Sequence, residues 1–155
     1  MIGKFAKNTL WMLLMIVISG LVYVRTAPHD SAALHLPPPT GATPDAPVIN
    51  QGSGLFVQLF AATPDEVLKS LNTIALATPR TRLLKGDVNE GLITYVTRSR
   101  VFGFPDYTTV QATPEGQGSR LTIYGRLRFG RSDFGVNAAR IRQWLKALEP
   151  LNQTR

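Results

Sequence analysis

The spacing of apolar positions divides the chain into three regimes. Residues 9–24 are uncharged throughout and almost wholly apolar, with no polar face. About 16 such residues make roughly 24 Å of helix, slightly short of a ~30 Å hydrocarbon core. Extension to residues 5–26 closes the gap, because Lys7 and Arg25 can snorkel to the headgroups. Over residues 27–53 the pattern dissolves into Pro, Ala, Ser and Thr, with prolines at 28, 37, 38, 39, 44 and 47.

Periodicity returns beyond Gly54. Residues 55–60 read as a strand. Thr63-Pro64-Asp65-Glu66 is a capping box with proline at the first helical position. Val67, Leu71, Ile74 and Ala75 then recur at helical spacing until Thr78-Pro79 stops them. Four further strands are predicted over 81–85, 92–102, 107–113 and 120–129. Turn-forming segments at 86–91 and 114–119 and a sharper corner at 102–105 separate them. A last helix is predicted from about Phe134 to Leu148, with Phe134, Ile141, Leu145 and Leu148 on its apolar stripe. The expected architecture is α+β: an N-terminal transmembrane helix, a Pro-rich linker, then an antiparallel sheet of about five strands with two helices packed on one face. The divisions are 1–26 for the cytoplasmic start and anchor, 27–53 for the linker, 54–150 for the folded domain and 151–155 for a tail. As a polyproline-type tether the linker's ~25 residues reach on the order of 75 Å when extended.

Composition adds exclusions. Cysteine is absent, so there is no disulfide, thiolate nucleophile, cysteine-ligated zinc or Fe–S cluster. Both histidines, His29 and His35, fall in the linker, where they read as solvated. None lies in the domain, which excludes a Ser-His-Asp triad. No metal and no cofactor is expected. The formal charge of +7 points to an acidic partner: anionic lipid, a phosphate or carboxylate ligand, nucleic acid or an acidic protein. Trp11 and Tyr23 lie near the ends of the apolar run, as interfacial aromatics do. Lys4, Lys7 and the amino terminus outweigh Arg25. These features predict a single pass through the inner (cytoplasmic) membrane, N-terminus inside, with the domain on the periplasmic side. The competing reading is a cleaved signal peptide. Cleavage after Ala27 would put Arg25 where a small residue is wanted, and Ser31-Ala32-Ala33 lies far beyond the apolar run. An outward-facing domain removes nucleic acid from the partners.

Candidate chemistry concentrates near the end of the chain. In the last strand Leu121, Ile123, Leu127 and Phe129 fall on one face, and Thr122, Tyr124, Arg126 and Arg128 on the other, which is expected to be open. Arg98 and Arg100 share a strand face. Together these arginines form either a basic surface for phosphate or carboxylate, which guanidinium groups grip bidentately, or ordinary solubilising decoration. At the strand–helix junction Ser132 or Asp133 suits the N-cap. Asn137 falls at the edge of the apolar stripe and is expected to bond the preceding strand or corner, with Asp133 and Arg140 in reach. The junction is either a structural lock or a ligand or catalytic site built from Arg131, Asp133 and Asn137. Two functions follow. One is a binding or accessory module for an anionic ligand, the membrane surface or an envelope protein complex, with Arg98, Arg100, Arg126, Arg128, Arg131, Asn137 and Arg140 as candidate ligands. The alternative is a hydrolase using Asp106 and Asp133 as a carboxylate pair, which requires both to face one pocket in different environments.

Phe102-Gly103-Phe104-Pro105-Asp106, the string Gly130-Arg131-Ser132-Asp133-Phe134-Gly135-Val136-Asn137, and then Arg140-Ile141 and Trp144-Leu145 resemble the domain of unknown function 1499 (DUF1499) family of bacterial and plastid proteins. The resemblance covers roughly residues 55–148. The family's signature positions fall on Phe104, Pro105, Asp106, Ser132, Asp133, Gly135, Asn137 and Arg140. Many members carry a cysteine-containing segment ahead of the first helix, which this chain lacks. The resemblance implies a membrane-attached or exported protein and brings no established activity with it.

Overall fold

The computed structural model describes residues 2–152. Met1, whose amine enters the topology argument, and residues 153–155 of the tail lie outside the described residues. Helix α1 (Ile2–Thr26) is long and apolar enough to cross a membrane, and its apolar window is not buried against the protein. A single helical turn, α2 (Ser31–Leu34), follows. The body comprises β1 (Val48–Asn50), β2 (Ser53–Phe60), α3 (Pro64–Ala77), β3 (Thr81–Asp87), β4 (Leu92–Arg98), β5 (Pro105–Glu115), β6 (Gly118–Leu127) and α4 (Val136–Leu148), closed by a 3₁₀ turn at Glu149–Asn152.

The strands form one antiparallel sheet in the order β1-β2-β6-β5-β4-β3. The class is the one the pattern predicts, with six strands rather than about five. The additional strand, β1, is a three-residue edge whose side chains are all exposed, so it shows no alternation to read. The sheet therefore starts at Val48 rather than near Gly54. Helix α3 begins as its sequence requires. Thr63 Oγ1 accepts from the Glu66 N–H, and the Glu66 carboxylate accepts from the Thr63 N–H at 2.9 Å.

One face of the sheet supplies Phe56, Phe60, Ile93, Tyr95, Val110, Ala112, Leu121 and Ile123 to the core. Against them pack Val67, Leu68, Leu71 and Ala75 of α3 and Ala138, Ile141, Trp144 and Leu148 of α4. Each large apolar side chain buried this way contributes about 1.5–3 kcal/mol. The Trp144 indole N–H donates to Thr78 Oγ1 at 2.8 Å, joining α4 to the end of α3.

The linker departs most from expectation. Its first part lies along the opposite face of the sheet, so Arg126 of β6 and Arg128 just beyond its end are half-buried rather than open to solvent. Arg126 donates to the Leu34 carbonyl. Arg128 donates to the carbonyls of Ala27 (3.2 Å) and Pro28 (2.9 Å). Arg98 Nη2 donates to the Arg25 carbonyl at 3.1 Å. The histidines are not solvated either. His29 Nδ1 lies 2.8 Å from the Tyr107 hydroxyl. His35 is only 8% exposed and bonds Thr94 Oγ1 and the Glu90 carboxylate, both at 2.9 Å. The physical reason is donor–acceptor accounting. An extended, proline-rich segment has carbonyls without partners of its own, and guanidinium forks supply the missing donors. Gly86 (φ +85°) makes room for the His35 ring: a Cβ there would lie 2.4 Å from His35 Cε1.

Candidate functional site

The site is built where β6 turns into α4 and where β4 turns into β5. Gly125 sits in β6 beneath the first turn of α4. A Cβ at that position would lie 3.0 Å from Ile141 Cδ1 and 3.3 Å from Asn137 Cβ, so the glycine allows the helix to approach. Asn137 is consequently buried completely.

Ahead of it, Phe134 (φ 53°) and Gly135 (φ 81°) adopt left-handed backbone conformations. The reversal lets the Asp133 carboxylate accept from the N–H groups of Gly135 (3.0 Å) and Asn137 (2.7 Å), while Ser132 Oγ accepts from the Phe134 N–H. The N-cap position itself falls to Gly135 rather than to Ser132 or Asp133, because the left-handed backbone there delays the helix, and Asp133 serves the helix start from two residues further back. The helix starts at Val136, and Phe134 is 94% exposed instead of lying on the stripe.

Arg140, one turn beyond Asn137, is 7% exposed. Its Nη2 donates to Thr108 Oγ1 of β5 at 3.1 Å and to Asn137 Oδ1, and its guanidinium carbon lies 5.9 Å from the Trp144 ring centroid. The expected partner of Asn137 in the preceding strand is therefore replaced by a residue of its own helix, which in turn grips the sheet. Arg140 Nε and Asn137 Nδ2 are buried without a hydrogen-bond partner among the described residues. Such orphaned donors are uncommon in folded proteins and favour a site for an acceptor.

Asp106 completes the group. Strand alternation puts it on the helix side of β5 with Thr108 and Val110. Burial pushes its carboxyl up to about 6. Arg140 pulls it down, the Asp133 charge raises it, and the Asn137 amide lowers it. The Asn137 amide acts on the Asp106 carboxyl electrostatically, without a hydrogen bond from Nδ2. Arg140, in turn, is held below its ordinary value by burial, against the attraction of Asp106 and Asp133. The two aspartates predicted as a pair do interact. Both Asp133 oxygens, however, are engaged by backbone N–H groups.

Asp106 and Arg140 open into a cleft of about 470 Å³, whose other walls include Thr97, Arg100, Val136 and Gln143. A second cleft of about 320 Å³ adjoins it through Arg80, Arg98, Ser99 and Arg100, and adds Arg25 and Arg82. Five arginines line this second cleft and no carboxylate does.

Of the predicted ligands, Arg98, Arg100 and Arg140 reach these clefts. Arg98 and Arg100 do not share a strand face, because β4 ends at Arg98 and Arg100 belongs to the turn. Arg126 and Arg128 are occupied by the linker, and Arg131 is exposed and lines neither cleft. Sequence reasoning missed Arg25, Arg80 and Arg82. For Arg80 and Arg82 a signal was present in the repeated Arg-x-Arg spacing, 80/82 and 98/100, on strands that pair at Thr81 and Thr97; for Arg25 there was none. Among the described residues no group of three or more His, Asp or Glu side chains could hold a metal ion.

The fold is similar to that of protein MLL2253 from Mesorhizobium loti, with a TM-score of 0.50 at 13% identity over 66% of this chain and 98% of that one. Protein CV1439 from Chromobacterium violaceum gives 0.49 at 17% identity, covering 67% and 99%. CalU16 from Micromonospora echinospora gives 0.48 at 15% identity, covering 66% and 76%. At these identities the likeness concerns the fold alone. No curated protein matches the chain. The family model described as "Protein of unknown function (DUF1499)" matches residues 48–148, from the first residue of β1 to the last of α4, and thereby includes Asp106, Asp133, Asn137 and Arg140. The chain belongs to the DUF1499 family.

Proposed function

We propose that this protein is a membrane-anchored binding module for an anionic molecule. In this reading α1 spans the inner membrane once with its N-terminus in the cytoplasm, and the sheet-and-helix body lies on the periplasmic side. The observation that carries it is the cleft lined by Arg25, Arg80, Arg82, Arg98 and Arg100 without a carboxylate. Arg25, Arg80 and Arg98 each donate to backbone carbonyls, but no carboxylate in the cleft neutralises the gathered charge, and that repulsion is a cost a phosphate or carboxylate ligand would offset. Arg80 adds to this cost with a left-handed backbone (φ 62°), a conformation that non-glycine residues adopt at about 1–2 kcal/mol.

The hydrolase reading draws support from Asp106 alone, a half-buried acid with a pKa of about 6 beside an open cleft. Its intended partner Asp133 is engaged by backbone at the helix start, so the binding reading is the stronger.

The test is anion-dependent stabilisation of the full-length protein in a non-ionic detergent. Inorganic phosphate should raise the unfolding temperature relative to chloride at matched ionic strength, since any ligand that binds only the folded state does so. The double variant Arg82→Ala/Arg100→Ala alters two exposed side chains and should lose the increment. An equal increment in both proteins would sink the reading.

A further inference from the structure

Two turns near the clefts carry exposed apolar side chains, and α1 arrives at the first of them. The first joins β4 to β5 and exposes Val101 (69%) and Phe102 (51%). The second joins β6 to α4 and exposes Phe134 (94%) and Val136 (56%). The first turn contributes Ser99 and Arg100 to both clefts, and the start of α4 contributes Val136 to the cleft of Asp106 and Arg140. Single exposed apolar residues are ordinary, whereas four on two adjoining turns form a patch that calls for an apolar neighbour. Phe134 is held in left-handed backbone to reach its position.

The contacts of α1 identify that neighbour. Arg25 donates to the carbonyls of Phe102 (3.3 Å) and Val101 (3.4 Å). A ladder of rings continues from Tyr23 to Phe129, Phe104 and Phe102, with centroid spacings of 6.4, 6.4 and 5.7 Å. Tyr23 closes the apolar span, and Arg25 follows it by about 3 Å of helical rise. A headgroup layer is several ångströms thick on each side of the hydrocarbon core. A turn bonded to Arg25 therefore lies within that layer. Charge agrees with position: Arg25 bonds the first turn, Arg100 belongs to it, and both share their cleft with Arg80 and Arg82, a cluster that anionic headgroups attract.

We infer that the 99–104 and 129–136 turns are seated in the headgroup layer of the bilayer crossed by α1, and that the arginine cleft beside the first of them takes the phosphate of an anionic phospholipid from that bilayer. This rests on the membrane-anchored, anion-binding reading above, and it names the ligand's class and the direction from which it enters. Lateral entry explains why the cleft opens beside the anchor rather than at the 87–91 and 115–118 hairpins, which lie at the far ends of the strands.

The absence of cysteine allows single labels to be placed. Full-length F134C and V101C, each carrying an environment-sensitive dye, are reconstituted into vesicles of phosphatidylcholine with phosphatidylglycerol. N89C, on a distant hairpin, is the control. The dyes at 134 and 101 should shift to the blue and be quenched several-fold more by nitroxide-bearing lipid than the dye at 89, which should remain open to iodide. In parallel, phosphatidylglycerol co-purifying with the detergent-extracted protein should fall several-fold in R82A/R100A. Equal iodide quenching at 134 and 89, in protein that still responds to phosphate, would overturn the docking and leave the anion site standing. Lipid quenching at 134 with phosphatidylglycerol content unchanged in R82A/R100A would overturn the lipid as occupant. A protein released from vesicles by alkaline carbonate would remove the anchored reading together with this one.

Discussion

The protonation of Asp106 offers a prediction whose sign is not obvious, because the residue faces a buried arginine. Intuition treats the two as an ion pair that stabilises the fold at neutral pH. The balance instead favours burial, which raises the carboxyl from 3.8 to about 6 despite Arg140. The folded protein therefore holds this proton more tightly than the unfolded chain does. The resulting stability is fully present below about pH 4 and is lost as pH rises through about 6. At about 1.4 kcal/mol per tenfold change in acidity, a fully buried group would lose roughly 3 kcal/mol. Solvent reaching this half-buried carboxyl reduces the figure to about 2 kcal/mol. Asp106→Asn keeps the shape, removes the charge and should be more stable than the parent at pH 7 by that amount, near 10 °C in unfolding temperature for a domain of this size. The assay is thermal unfolding of both full-length proteins in detergent across about pH 4 to 8, read as the difference curve so that other titrating groups cancel. A D106N protein less stable than its parent at pH 7 would refute the reasoning and establish Asp106–Arg140 as a stabilising ion pair.

Three further outcomes are expected. Gly125→Ala should cost about 1–3 kcal/mol in urea unfolding, because its Cβ would press on Ile141 and Asn137; a neutral result would mean that α4 does not need its close approach. Thr63→Ala removes the capping box of α3 and should cost about 1 kcal/mol by the same measurement. The His29 pKa is lowered by burial and by Arg128 and Arg98, so docking of the linker is strongest with the ring neutral and weakens as pH falls below its ordinary 6.5. Protection factors of the amides in residues 27–36, corrected for the intrinsic pH dependence of exchange, should fall on acidification in the parent and lose that dependence in His29→Ala.

The layer arrangement was legible because its signals are local. The capping box, the 3.6-residue stripe of α3 and the alternation of β6 each state an element and its buried face within a dozen residues. That Asp133 binds backbone at the helix start was legible for the same reason, although the N-cap position is Gly135. What escaped the reading is non-local. His35 meets Thr94 and Glu90 across more than fifty positions, and Arg128 meets Pro28 across a hundred. No periodicity in a proline-rich segment announces which carbonyls a distant guanidinium will take. Strand ends escaped as well: the run 92–102 is apolar enough to read as one strand. The chain leaves the ladder at Arg98 and turns through Gly103 (φ 73°), and this separates Arg100 from Arg98. Phe134 was assigned to the core by residue type and spacing. Its left-handed backbone breaks the helical phase on which that assignment depended.

The docked linker has a mechanical consequence. Arg98, Arg126 and Arg128 clasp carbonyls of the segment between Arg25 and Leu34, so little slack separates anchor from body and the ~75 Å leash of an extended chain is not paid out. Displacing residues 25–34 would therefore pull on β4 and β6, and Gly125 of β6 sits beneath the first turn of α4, whose Arg140 walls the cleft.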